Sequence, residues 1–195
     1  MPTCKVPWMS ITLAANGGIK PCCVYEGGDW SIHNGDTLDS AWKDMDGLRQ
    51  KFINNERPKN CKQCWKREAS LGHSRRTWYD DKIEEWPNEY KLNPPMQLRH
   101  MDLNFGNTCN LKCRMCGSWG STAWFKEEEK LIAIDRDFQR SRGPRRPTII
   151  PASYWEDKKD MFQYLERIDF KGGEPMMQDG MYDFLEYLVE WGYAP

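Results

Sequence analysis

Cys109, Cys113 and Cys116 stand in the run Cys-Asn-Leu-Lys-Cys-Arg-Met-Cys, a C-x3-C-x2-C spacing that follows directly on a strand-like segment. No other feature restricts the fold as strongly, because three ligating thiols must be delivered from one tight loop at a strand end. Three thiolates satisfy three corners of a cubic iron–sulfur cluster and leave one iron with an open position. An open position distinguishes a reactive metal site from a closed structural one. A zinc knuckle is the bland alternative, but it needs a fourth ligand, and the nearest histidine is His100, on the preceding strand.

The remaining cysteines form a second group. Cys4, Cys22, Cys23, Cys61 and Cys64 lie in the first third of the chain, which has eight cysteines in 195 residues. No basic start followed by an apolar block marks an export signal. In a reducing cytoplasm such cysteines read as metal ligands rather than disulfides. A net charge of −1 gives no footprint for a polyanion, so no nucleic-acid partner is expected. No apolar run approaches the roughly 18 residues of a membrane span, so no membrane partner is expected either.

Alternation places the first strand: Met9, Ile11 and Leu13 alternate with Ser10 and Thr12. Asn16-Gly17 supplies a tight hairpin turn, and Ile19 to Val24 returns. Leu38, Trp42, Met45, Leu48 and Phe52 fall on one helical face, capped by Asp36 or Thr37, and read as core. Thr77 to Met96, rich in charge and proline, reads as a connection. The expected division is therefore a first domain over 1–76, a linker over 77–96 and a second domain over 97–195.

In the second domain Met101, Leu103 and Phe105 mark a strand that runs into the cysteine loop, and residues from about Ser121 to Ile134 read as a helix. Arg140 to Pro147 reads as a solvated loop. A second strand, Arg167 to Lys171, leads into Gly172-Gly173-Glu174-Pro175, and Met181, Phe184, Leu185 and Leu188 then mark an amphipathic helix ended by Gly192. Strand–helix–strand–helix in this order predicts an α/β arrangement, a parallel sheet with its loops gathered at one end. The glycine pair allows a backbone to approach a ligand closely, and Glu174 offers a carboxylate to an ammonium group.

With the cysteine trio one strand earlier and the Gly-Gly-Glu-Pro run at the next strand end, the chain resembles the radical S-adenosylmethionine enzymes. The resemblance implies a 4Fe–4S cluster on Cys109, Cys113 and Cys116, with S-adenosylmethionine chelating the fourth iron and cleaved to a 5′-deoxyadenosyl radical. It implies that Gly172, Gly173, Glu174 and Pro175 form the cofactor-binding turn around the methionine amino group. Met115 occupies the position near the adenine where the family often carries an aromatic residue. It implies catalysis by an oxidoreductase-type enzyme, an electron donor such as flavodoxin or ferredoxin, and a peptide or small-molecule substrate.

From spacing alone, Cys4 and Cys22 around a hairpin with Cys61-Lys-Gln-Cys64 downstream fit a zinc ribbon as well as an iron–sulfur site. The stretch from Cys4-Lys-Val-Pro-Trp8 through Gly17 to Cys22, then Leu48-Arg49 and Pro58 to Cys64, resembles the twitch modules, shortened relatives of the SPASM domain. That resemblance implies a second, auxiliary 4Fe–4S cluster on Cys4, Cys22, Cys61 and Cys64, acting as an electron relay. Cys23 is expected to be a packing residue or an alternative to Cys22. His33, His73 and His100 lack partner spacing. Asp102, Asn104, Asp169 and Lys171 lie opposite the apolar strand face, towards either substrate or water.

A full barrel of eight units takes roughly 250 residues, and only two strand–helix units follow Met96. The expected fold is thus a partial (β/α) barrel, either a fragment of a longer protein or one completed by a second chain. A non-catalytic metal-binding subunit is the competing expectation.

Overall fold

A computed structural model describes residues 3–28, 30–82, 90–134 and 150–194. Five strands, β1 (Ser10–Leu13), β2 (Gly18–Lys20), β3 (Trp30–Ser31), β4 (His100–Asn104) and β5 (Arg167–Lys171), form one sheet in the order β3-β2-β1-β4-β5. The hairpin β1–β2 is antiparallel with Thr12 opposite Lys20, and β2 pairs antiparallel with β3. Its turn closes by the Gly17 amide donating to the Ala14 carbonyl at 2.8 Å, with Gly17 at φ 75°, where a side chain would be strained. The return strand is shorter than the Ile19–Val24 expectation. Pro21 lacks the amide that would continue the ladder, so Cys22 and Cys23 fall in a turn.

β4 and β5 run in the same direction. At one end the Arg99 carbonyl accepts from Glu166 and Arg167 (2.9 and 3.0 Å), and at the other the Gly106 carbonyl accepts from Gly173 (3.1 Å). The sheet is therefore mixed.

Packing divides the chain into two compact units, one of Met1–Leu13, Gly18–Asp102 and Asp160–Ile168, the other of Ala14–Gly17, Leu103–Lys159 and Asp169–Pro195. Among the described residues the first holds four α-helices: α1 (Leu38–Asp44), α2 (Asp46–Ile53), α3 (Lys62–Leu71) and α4 (Arg75–Lys82). Thr37 caps α1 in a reciprocal box with Ser40 (3.0 and 2.9 Å). The expected stripe of Leu38, Trp42, Met45, Leu48 and Phe52 is buried throughout, but one helix has become two, breaking at Met45. Arg49 accounts for the break. Its guanidinium is fully buried, donates to the Trp42 carbonyl at 2.6 Å and pairs with Asp46 at 2.8 Å, replacing the partners a continuous helix would provide.

The second unit carries α5 (Phe125–Ile134) and α6 (Asp179–Glu190). Ser121 starts the run into α5 by accepting from the Ala123 amide at 3.2 Å. Met181, Phe184 and Leu188 are buried, and Phe184 packs with Phe105, Trp155 and Phe170 at centroid distances of 5.1 to 6.4 Å. Gly192, at φ 79°, ends α6 as expected. The Arg140–Pro147 loop lies outside the described residues. No helix among the described residues is long and apolar enough to cross a membrane.

Candidate metal centres

In the first unit Cys4, Cys22, Cys61 and Cys64 line one pocket, together with Val6, Val24, Tyr25, Phe52, Trp65, Arg75 and Arg76. Each thiol is delivered by a locally fixed segment. The Thr3 amide donates to the Phe52 carbonyl at 3.2 Å, and Arg49 grips the Pro7 carbonyl from Nε and Nη2 (3.0 and 2.8 Å), which fastens the Cys4 segment to α2. Downstream of Cys22, Glu26 donates its amide to the Asn60 carbonyl at 2.8 Å, Asn60 Nδ2 reaches the Tyr25 hydroxyl at 3.1 Å, and Lys62 pairs with Glu26 at 2.7 Å. Those three contacts bring the Cys22 turn to the start of α3.

Cys61 is the N-cap residue of α3, yet its thiol makes no cap hydrogen bond, and Cys64 sits in the first turn. A helix start carries partial positive charge, which favours thiolates and anionic clusters. Burial pushes the Cys22 and Cys61 thiols up to about 12, with neighbouring sulfurs adding to the rise. Burial likewise holds Cys4 well above its ordinary value, reinforced by Cys22, Cys61 and Cys64. Thiols that resist ionisation because they are buried, and further because sulfurs neighbour one another, are relieved when a cation centre binds them as thiolates. The donor set therefore fits a metal or iron–sulfur group. Cys23 is half-buried and does not line this pocket.

The second unit holds the other three thiols. Cys109 is buried, Cys116 half-buried and Cys113 exposed. Burial raises the Cys116 thiol, and Cys113 and Cys109 raise it further, so the three sulfurs share one field. The loop is closed on itself by Thr122, whose hydroxyl accepts from the Cys109 amide (3.2 Å) and donates to its carbonyl (3.1 Å). Ser121 Oγ donates to the Leu111 carbonyl at 2.6 Å, and Asn107 Nδ2 donates to the Ser118 carbonyl at 3.0 Å. The Leu111 amide already points at the Cys109 sulfur, 3.3 Å away. Three thiols on a loop with one face in solvent fit a cluster with an open corner.

The Gly-Gly-Glu-Pro turn packs against this loop. Gly173 donates to the Gly106 carbonyl, Glu174 donates to the Thr108 carbonyl at 3.0 Å, and Gln178 Nε2 reaches the same carbonyl at 2.7 Å. A Cβ on Gly173 would meet the Thr108 oxygen at 2.3 Å, and one on Gly172, at φ 136°, would meet the Gly106 oxygen at 2.5 Å. Glycine is required at both. Glu174 Oε1 accepts from the Met176 amide at 3.2 Å, and Pro175 opens the short turn that follows. Met115 is 86% exposed at the tip of the cysteine loop.

The first four thiols frame a recognisable stretch. Residues 4–65 match the SPASM family, an iron–sulfur cluster-binding domain. The match opens on Cys4 and ends one residue past Cys64, so it spans all four pocket thiols. The SPASM-like region is thus similar to domains that hold iron–sulfur clusters in proteins associated with radical S-adenosylmethionine chemistry. No curated protein and no solved structure matches the chain.

Partners of several strand residues are set by the fold. His100, which lacks partner spacing in the sequence, is buried, and so is Asp102, which therefore does not face water. Thr12 Oγ1 donates to Asp102 at 3.1 Å, the Tyr79 hydroxyl bonds His100 Nδ1, and Arg75 lies 3.7 Å from Asp102. Asn104 Oδ1 accepts from the Gly106 amide at 3.1 Å, steadying the strand end before the loop. Asp169 and Lys171 are half-buried. Arg75 and Arg76 reach the cysteine pocket from α4, and nothing in their local sequence signals it.

Proposed function

We propose that the chain is an iron–sulfur protein of the radical S-adenosylmethionine type. Cys109, Cys113 and Cys116 hold a 4Fe–4S cluster with one iron open to S-adenosylmethionine, and Cys4, Cys22, Cys61 and Cys64 hold an auxiliary 4Fe–4S cluster. The main support is the fastening of Glu174 to Thr108, the residue before Cys109, which makes the cysteine loop and the glycine-rich turn one continuous structure. The SPASM match over 4–65 supports the auxiliary site.

Cys109, Cys113 and Cys116 would hold the open cluster, which would supply one-electron reductive cleavage of the bound cofactor and so hydrogen abstraction from substrate. The chain's own residues bind and orient. Gly172 and Gly173 keep the turn free of side chains so that a methionine amino group can approach the backbone, with the Glu174 carboxylate as its counter-charge. Met115 offers a polarizable thioether to the adenine. In this reading β4 and β5 are the first two strands of a partial (β/α) barrel. Cys4, Cys22, Cys61 and Cys64 would hold the auxiliary cluster, which would supply an electron relay towards a peptide or small-molecule substrate, with a flavodoxin or ferredoxin as the electron donor.

Anaerobic reconstitution followed by dithionite and S-adenosylmethionine tests the reading. Wild type is expected to form 5′-deoxyadenosine. Cys113→Ala is expected to form none while keeping the iron of the first unit. Nucleoside from Cys113→Ala, or iron bound by neither unit, contradicts the assignment.

A further inference from the structure

Trp65 follows Cys64 on α3 and lines the pocket of the four thiols. Its indole Nε1 is shut off from solvent and has no hydrogen-bond acceptor among the described residues. A buried donor without an acceptor is rare, and each instance in a folded protein calls for a partner. Two guanidiniums stand over the ring, Arg57 with Cζ at 5.3 Å and Arg76 with Cζ at 5.1 Å from its centroid. Arg76 is held there by Glu68 (2.7 and 3.0 Å), Asp80 (3.1 Å) and the Thr3 carbonyl (3.1 Å). Positive charge over the ring draws electron density from the indole and strengthens its N–H as a donor.

We infer that Trp65 is a positioning residue for the group held by Cys4, Cys22, Cys61 and Cys64: its Nε1–H hydrogen-bonds a sulfur of that group and raises the group's reduction potential. The inference rests on the proposed auxiliary cluster. A donor aimed at cluster sulfur stabilises the reduced state, which carries one more negative charge, over the oxidised state. Hydrogen bonds to sulfur and nearby charge are among the factors that set cluster potentials. The reduction concerned is a one-electron gain from dithionite with no proton taken up.

The test uses the full chain carrying Cys113→Ala, so that the first unit's cluster is read alone. Iron and sulfide are counted, and the reduced fraction is followed by electron paramagnetic resonance against applied potential. Trp65→Phe is expected to keep its iron and sulfide while the ratio of reduced to oxidised cluster at a fixed potential falls about tenfold, equivalent to about 59 mV for a one-electron couple. An unchanged potential with full iron overturns the inference. Absence of iron in the parent overturns the auxiliary-cluster reading instead, so the two failures are distinguishable. Should Trp65→Phe alone lose its iron, the same parent labelled with indole-15N tryptophan decides. Nitrogen hyperfine coupling to the reduced cluster supports the hydrogen bond, and no coupling overturns it.

Discussion

The backbone amide of Glu174 donates to the carbonyl of Thr108 at 3.0 Å, which ties the glycine-rich turn to the residue immediately before Cys109. Two segments more than sixty residues apart are thereby fixed as a single rim, and disturbing one disturbs the other.

Gly173→Ala tests that coupling. Its Cβ would sit 2.3 Å from the Thr108 oxygen, a backbone atom that cannot swing aside. The expected cost is about 1–3 kcal/mol of stability, read from urea unfolding. Cofactor-dependent spectral changes at the 109–116 site are expected to disappear, while iron in the first unit stays.

Arg49→Lys probes the fastening of the Cys4 segment. Arg49 is fully buried and spreads its donors over the Pro7 carbonyl, the Trp42 carbonyl and Asp46. An ammonium cannot reach all three in fork geometry. A loss of about 2–4 kcal/mol is expected, together with weaker iron retention by the four-thiol pocket. Thermal melting and iron counts check both.

The four-thiol pocket sets a pH dependence. Cys22 and Cys61 are pushed up to about 12 from an ordinary 9.0. Between those values the folded metal-free chain keeps protons that the unfolded chain releases, so stability is full below pH 9 and falls as pH rises towards 12. Urea melts of metal-free protein at pH 8 and pH 10 are expected to differ by about 3 kcal/mol. The difference should shrink in the double variant Cys22→Ser, Cys61→Ser. In iron-loaded protein the thiolates are already bound, and this contribution is expected to vanish.

Short-range chemistry was legible in the sequence. The Asn16-Gly17 turn, the Thr37 cap, the β4 and β5 strands and the Gly192 helix end all follow from local pattern, and each appears in the structure. The four first-unit thiols could be grouped from their motif and do line one pocket. Long-range partners were not legible. Strand alternation marks Ser10 and Thr12 as outward-facing, yet both are buried because β1 is an inner strand whose polar side chains meet Tyr79 and Asp102. The break at Met45 follows from one guanidinium, which helical periodicity does not register. Trp65, Arg75 and Arg76 reach the pocket only once α3 and α4 have folded.

The most direct test of the central claim is electron paramagnetic resonance of the reduced, reconstituted Cys61→Ala variant, in which the 109–116 site is expected to keep a cluster and the four-thiol pocket to lose its own, before and after addition of S-adenosylmethionine. An open iron that takes the cofactor predicts a changed signal on addition and 5′-deoxyadenosine in the same sample. An unaltered signal with no nucleoside contradicts it.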